Sequence, residues 1–127
     1  MTLRAVSTGG APAVIAPYSQ AIDTGGLVFV SGQIGLDPGS GQLVEGVEAQ
    51  TERALRNIAA ILDASGLAMS NIVKTTILLA DIGYFDAVNG VYGRSVGDPP
   101  PARTTFAVTA LPRGALVEIE AIAARTG

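Results

Sequence analysis

Apolar positions along this chain repeat at two spacings, and the switches between them outline the fold. From Gly46 to Ala64 the spacing is helical: Val47, Ala54, Leu55, Ile58 and Leu62 share one stripe. Glu48 stands in the first turn, where the helix dipole favours an anion, and Gly66 is placed to close the helix at C′. A second helical stripe, Phe85, Val88 and Tyr92, follows Asp81 as the expected N-cap and is ended by Gly93 or Gly97. Elsewhere the pattern is β-like. Thr2–Val6, Ser19–Ile22, Leu27–Ser31 and Ile72–Leu79 read as strands, and Ser7–Pro17 as a Gly/Pro-rich loop. Asp23-Thr24-Gly25-Gly26 is a hairpin turn, and Asp37-Pro38-Gly39-Ser40-Gly41 a turn between Ile34–Leu36 and Gln42–Val44. Two further strands close the chain between Pro99 and Glu120. The order β-β-(β)-α-β-α-β-β predicts an α+β fold, one mixed sheet with two helices packed on a single face, and residues 1–127 read as one domain.

The closing strands carry the candidate chemistry. Alternation puts Arg103, Thr105, Ala107 and Thr109 on one face of the first, with Thr104, Phe106 and Val108 on the other. On the second, Val117, Ile119, Ala121 and Ala123 oppose Leu116, Glu118, Glu120 and Ile122. Paired as neighbouring antiparallel strands, the two would bring Arg103 and a glutamate onto one face. Arg103 can grip a carboxylate through two parallel N–H···O bonds. Glu118 can hold a water, with Glu120 a competing candidate. Taken singly, each is more often an ordinary surface or interface charge. Two helices cover one sheet face only. The other, expected to carry Thr105, Ala107, Leu116 and Ile122, is too apolar for open water, so a closed oligomer is expected to bury it.

Composition narrows the chemistry. The 127 residues contain no cysteine and no histidine. Thiolate nucleophiles, disulfides and the usual imidazole base are therefore excluded, and catalysis must use carboxylates, hydroxyls, Arg, Lys or backbone dipoles. The net charge of −3 gives no basic footprint for nucleic acid. No cofactor or metal motif appears. The first ten residues hold no apolar signal-type run, and no stretch approaches the ~20 apolar residues of a membrane helix, so a cytoplasmic protein is the expectation. Tyr18 could wall a pocket or fill the core. Gly32, in Ser31-Gly32-Gln33, permits close backbone approach or marks a bulge. Asn89 lies beside the second apolar stripe.

These residues also form a pattern. Ala16-Pro-Tyr-Ser-Gln-Ala21, Val30-Ser-Gly-Gln-Ile34, Glu48-Ala-Gln-Thr51 with Leu55-Arg-Asn57, Val73-Lys-Thr75, Phe85 with Asn89 and Tyr92, Pro101-Ala-Arg103, and Leu111-Pro112 through Val117-Glu-Ile-Glu120 occur in an order and spacing that resembles the RidA (YjgF) family of reactive-intermediate deaminases along nearly the whole chain. The resemblance implies a chorismate-mutase-like fold and a homotrimer whose sheets form a central barrel, with sites in the clefts between subunits. It implies hydrolysis of 2-iminobutanoate, 2-iminopropanoate and related enamine/imine products of pyridoxal-phosphate enzymes to 2-oxo acids and ammonia, with no cofactor of its own. It assigns the substrate carboxylate to Arg103, the attacking water to Glu118, and the pocket lining to Tyr18, Ser31, Gly32, Asn89 and Thr105. Thr105 stands where many members have cysteine, and Gly93–Gly97 lacks the family's usual aromatic residue. A non-enzymatic trimer binding small carboxylic acids is the alternative. An endoribonuclease or translation inhibitor is disfavoured by the acidic charge and the missing histidine.

Overall fold

The computed structural model describes residues 3–126. In order, the elements are β1 (Arg4–Val6), β2 (Ala21–Asp23), β3 (Leu27–Gln33), α1 (Val47–Asp63), β4 (Ile72–Leu79), α2 (Phe85–Ser95), β5 (Ala102–Ala107) and β6 (Val117–Ala124). Thr2, expected to open the first strand, lies outside the described residues. The six strands make one mixed sheet in the order β1-β2-β3-β6-β4-β5. The β4–β5 pair is parallel and the other four pairings are antiparallel.

Helix α1 forms because its apolar positions fall on one stripe that the sheet can cover. Ala54, Leu55, Ile58, Ile61 and Leu62 are buried against Val28, Val30, Ile77, Leu79, Val117 and Ile119 of the sheet's inner face. Each large aliphatic side chain so buried contributes roughly 1.5–3 kcal/mol over its exposed state. Gly66, at φ +75°, ends the helix: Leu67 N–H donates to Leu62 O and Gly66 N–H to Asp63 O. The strands expected on either side of the Asp37–Gly41 turn shrink to one bridge between Leu36 and Leu43. Two backbone bonds flank that bridge, Asp37 N–H to Gln42 O and Val44 N–H to Gly35 O, and buried amides satisfy further carbonyls of the segment. Asn57 Nδ2 donates to Ile34 O and Leu36 O, and Gln50 Nε2 to Val44 O. A Cβ on Gly35 would lie 2.6 Å from Gln50 Cα, so only glycine lets α1 sit this close.

Helix α2 differs from the expected pattern at both ends. Asp81 Oδ1 accepts from Gly83 N–H at 2.7 Å and so caps a separate 3-10 turn, Ile82–Tyr84, ahead of the helix. Val88, Val91 and Tyr92 are buried, whereas Phe85 at the helix start is partly exposed. Gly93 lies inside the helix, which runs on to Ser95.

The larger correction concerns the last two strands. They are not neighbours, because β4 lies between them: Leu78 pairs with Phe106 on one side and with Glu118 on the other. Residues paired across strands share a face, so the sheet's two faces can be read off directly. Val117, Ile119, Ala121 and Ala123 point under the helices, and Glu118, Glu120 and Ile122 point away. Arg103 pairs with Thr75, whose hydroxyl bonds Tyr92 Oη at 2.6 Å beneath α2. Arg103, Thr105 and Ala107 therefore lie on the helix side. The open face carries instead Leu27, Phe29, Leu78, Phe106 and Ile122, with Phe29 44% and Phe106 48% exposed.

Asp23 locks the far edge. Its carboxylate accepts from Gly25 N–H at 2.8 Å and pairs with Arg4 at 3.2 Å and with Arg125. The Gly25 amide, followed by the two guanidiniums, holds its pKa below the usual carboxylate value despite burial of the side chain.

Candidate active site

Four of the expected pocket residues meet in one cleft. Tyr18, Ser31, Gly32 and Glu118 line a cavity of about 780 Å³, together with Glu120 and Arg113. Its walls come from the loop of residues 12–18, the end of β3 and the segment after it through the 37–41 turn, Pro112-Arg113, and the start of β6. The loop is held by Gln20, whose Oε1 accepts from Thr8 N–H at 2.7 Å and whose Nε2 donates to Thr8 O and Pro12 O. That duty explains why β2 begins only at Ala21, two residues later than the sequence pattern suggests.

Ser31 and Gly32 sit where β3 and β6 fall out of simple register between Val30 and Gln33. Ser31 Oγ donates to Ser19 O at 2.6 Å, which turns its lone pairs toward other partners. A Cβ on Gly32 would lie 2.0 Å from Glu118 Oε2, so the carboxylate rests directly on the glycine backbone. Glu118 is half-buried, and burial raises its pKa above the usual glutamate value, with repulsion from Glu120 adding to the effect. A carboxylate so placed is a stronger base than an exposed one and is suited to polarising a water.

Arg103, Asn89 and Thr105 lie elsewhere. The Arg103 guanidinium stacks on the rings of Phe85 and Tyr92, 5.4 and 5.1 Å from their centroids. Among the described residues it has no hydrogen-bond or ion-pair partner. Asn89 is one turn from both Phe85 and Tyr92 on α2, so it shares their face. Thr105 follows Arg103 by two positions on the same side of edge strand β5. Asn89 Oδ1 and Thr105 Oγ1 are both buried without a partner. Buried polar atoms without partners call for an explanation, and a ligand or another chain meeting this surface would supply one.

One protomer thus carries these groups on two separate surfaces. The Glu118 cleft opens on the helix-free face, and Arg103 lies on the helix side at edge strand β5. The single-face arrangement expected from adjacent strands does not form, because β4 separates β5 from β6 and each glutamate alternates with fully buried Val117 and Ile119. Sequence reading passed over Arg113 in the cleft and the aromatic platform under Arg103. Pro112-Arg113-Gly114 shows only as a turn, and Phe85 reads as core until the register places Arg103 against it. Among the described residues no group of acidic side chains is arranged to hold a metal ion, and no helix is long and apolar enough to cross a membrane.

The family model described as Endoribonuclease L-PSP matches residues 8–125. Protein DfrA of Myxococcus xanthus is 52% identical over 126 residues, covering 97% of this chain and 96% of that protein. The 2-iminobutanoate/2-iminopropanoate deaminase of Mus musculus is 50% identical over 121 residues, covering 94% and 90%. The crystal structure of E. coli TdcF with bound serine superposes with a TM-score of 0.92 at 36% identity, covering 97% of this chain and 99% of that one.

Proposed function

The chain belongs to the Endoribonuclease L-PSP family, which includes the RidA deaminases, and from that premise we propose that it hydrolyses 2-imino acids such as 2-iminobutanoate and 2-iminopropanoate to 2-oxo acids and ammonia. The observation that carries the reading is the pair of complementary half-sites. Each lacks what the other offers: one has a carboxylate poised over a glycine, the other an unpaired guanidinium flanked by unsatisfied oxygens.

A second copy of the chain completes the site. Its Arg103 edge would enter the Glu118 cleft of its neighbour, while the apolar face carrying Phe29, Phe106 and Ile122 is covered by the same association. Such a contact joins two different surfaces, and made head to tail it closes into a ring when its rotation allows. Three copies, with their sheets around the axis, is the closure the family resemblance supports.

In the completed site, Arg103 holds the substrate carboxylate in a bidentate pair, stiffened by its two aromatic platforms. Tyr18, Ser31, Asn89 and Thr105 line the remaining walls. Glu118 accepts a proton from water as the oxygen attacks the imine carbon. It returns that proton to the nitrogen of the tetrahedral intermediate and then takes up the proton of the new hydroxyl as the C–N bond breaks, releasing the 2-oxo acid and ammonia. An imine is already electrophilic, so fixed orientation and one well-placed base supply most of what the reaction needs. The serine-bound TdcF neighbour is in keeping with a small amino-acid-like ligand. The endoribonuclease description fits this chain poorly, since it has a net charge of −3 and no histidine.

The test generates 2-iminobutanoate in situ from threonine with a pyridoxal-phosphate dehydratase and follows 2-oxobutanoate release. Arg103→Ala and Glu118→Gln should each abolish the acceleration. Mixing the two variants, with exchange of subunits, should restore about a quarter of the wild-type sites, because each shared site then draws its two groups from different chains. Undiminished activity in either variant, or no recovery on mixing despite demonstrated exchange, overturns the shared-site reading.

A further inference from the structure

The cleft presents an electrostatic difficulty to the substrate that the proposed function requires. Its charged lining consists of three carboxylates, Asp37, Glu118 and Glu120, and one cation, Arg113. The protein as a whole carries a net charge of −3. A 2-imino acid is an anion, so its approach to this cleft is opposed by the lining and by the overall field.

Arg113 is also the described non-glycine residue with a left-handed backbone, at φ 61° and ψ 17°. Gly114 beside it is left-handed as well, at φ 72°. Glycine or asparagine fits such a position more readily than arginine. A non-glycine residue held in this conformation is a candidate for a functional side chain. Here the side chain is exposed at the cleft rim, and its Nη2 donates to Gly41 O at 3.0 Å. That bond fixes the guanidinium over the junction of two walls, the 37–41 turn and the 112–114 turn.

We infer that Arg113 is a capture residue: it offsets the acidic lining at the mouth and draws carboxylate substrates into the cleft before Arg103 of the neighbouring copy holds them. The inference rests on the deaminase reading. It assigns Arg113 no part in the bond-making steps, so its effect lies in binding and in the salt dependence of binding.

The test measures the affinity of 2-oxobutanoate, a stable anionic product, by calorimetric titration across ionic strength, with 2-oxobutanamide as the uncharged control. Arg113→Asn, which accepts a positive φ, should keep the melting temperature and weaken 2-oxobutanoate binding about two- to fivefold at low salt. The difference should vanish above about 0.5 M salt, where the screening length falls to a few ångströms. The amide should bind both proteins equally, and Arg113→Lys should retain most of the wild-type affinity. Turnover of saturating imine should be unchanged in Arg113→Asn. Unaltered 2-oxobutanoate binding in Arg113→Asn overturns the inference. So does an equal loss for acid and amide, which would make Arg113 a structural clasp. If the wild type neither binds 2-oxobutanoate nor accelerates imine decay, the deaminase reading fails first. If it does both while Arg113→Asn matches it, only the capture role fails.

Discussion

Replacing Gly32 by alanine tests the site at its tightest point. The added Cβ would stand 2.0 Å from Glu118 Oε2, 2.9 Å from Cδ and 3.2 Å from Cγ. Ordinary contact begins near 3.4 Å, so the carboxylate must retreat by about 1.4 Å (3.4 − 2.0). A displacement of this size at a reacting group costs on the order of 10²-fold in rate, or about 2.7 kcal/mol of barrier. Folding should hardly notice. The group in the way is the far end of a flexible side chain, whose rotamer change costs about 0.5–1.5 kcal/mol. Alanine in a strand recovers roughly 0.5–1 kcal/mol over glycine. Gly32→Ala is therefore expected to melt within a few degrees of the wild type yet lose about 10²-fold in the 2-oxobutanoate release assay. The double variant Gly32→Ala/Glu118→Ala isolates the cause. With the glutamate gone there is nothing to displace, so Gly32→Ala should have no further effect on the Glu118→Ala background. A folded Gly32→Ala protein within a few-fold of wild-type activity would refute the reasoning, as would an equal loss with and without Glu118.

Four other outcomes follow from the same structure. Glu118 must be ionised to act as a base. Burial first, and Glu120 second, raise its pKa, so activity should fall with decreasing pH earlier than for an ordinary glutamate, and Glu120→Gln should move that acid limb to lower pH in a pH–rate profile. Because the folded state binds this proton more tightly than the unfolded chain, the charged Glu118 opposes folding at neutral pH. Glu118→Gln should therefore raise the melting temperature at pH 7, with the gain fading as pH falls through the raised pKa. Phe106→Asp places a charge on the apolar open face and should yield an inactive protomer with an unchanged circular dichroism spectrum; a wild-type sedimentation coefficient would show that this face is not the subunit contact. Asn57→Ala leaves Ile34 O and Leu36 O without their buried donor and should lower stability by about 2–3 kcal/mol, read from the urea midpoint at constant slope.

How far the sequence speaks depends on the range of the interaction involved. Helix α1, its glycine stop at Gly66, the β2–β3 turn and the limits of β4 are all legible, because spacing and turn chemistry are encoded within a few residues. The family resemblance names the candidate residues but does not say how one chain distributes them. Phe85 reads as core by spacing and proves to be an exposed platform, because that role depends on Arg103, eighteen positions later. Ile34–Leu36 and Gln42–Val44 read as strands but form a single bridge, and α1 meets their remaining carbonyls through Asn57 and Gln50.

By itself the sequence determined the α+β element order, the chemistry on offer without cysteine or histidine, and that two helices would leave one sheet face open. Tertiary structure alone decided which residues occupy that face and on which side Arg103 and Glu118 lie. Strand alternation fixes a side chain's face only relative to its own strand. The insertion of β4 between β5 and β6 is a long-range pairing that no local pattern records, and it puts Arg103 and Glu118 on two surfaces of one chain.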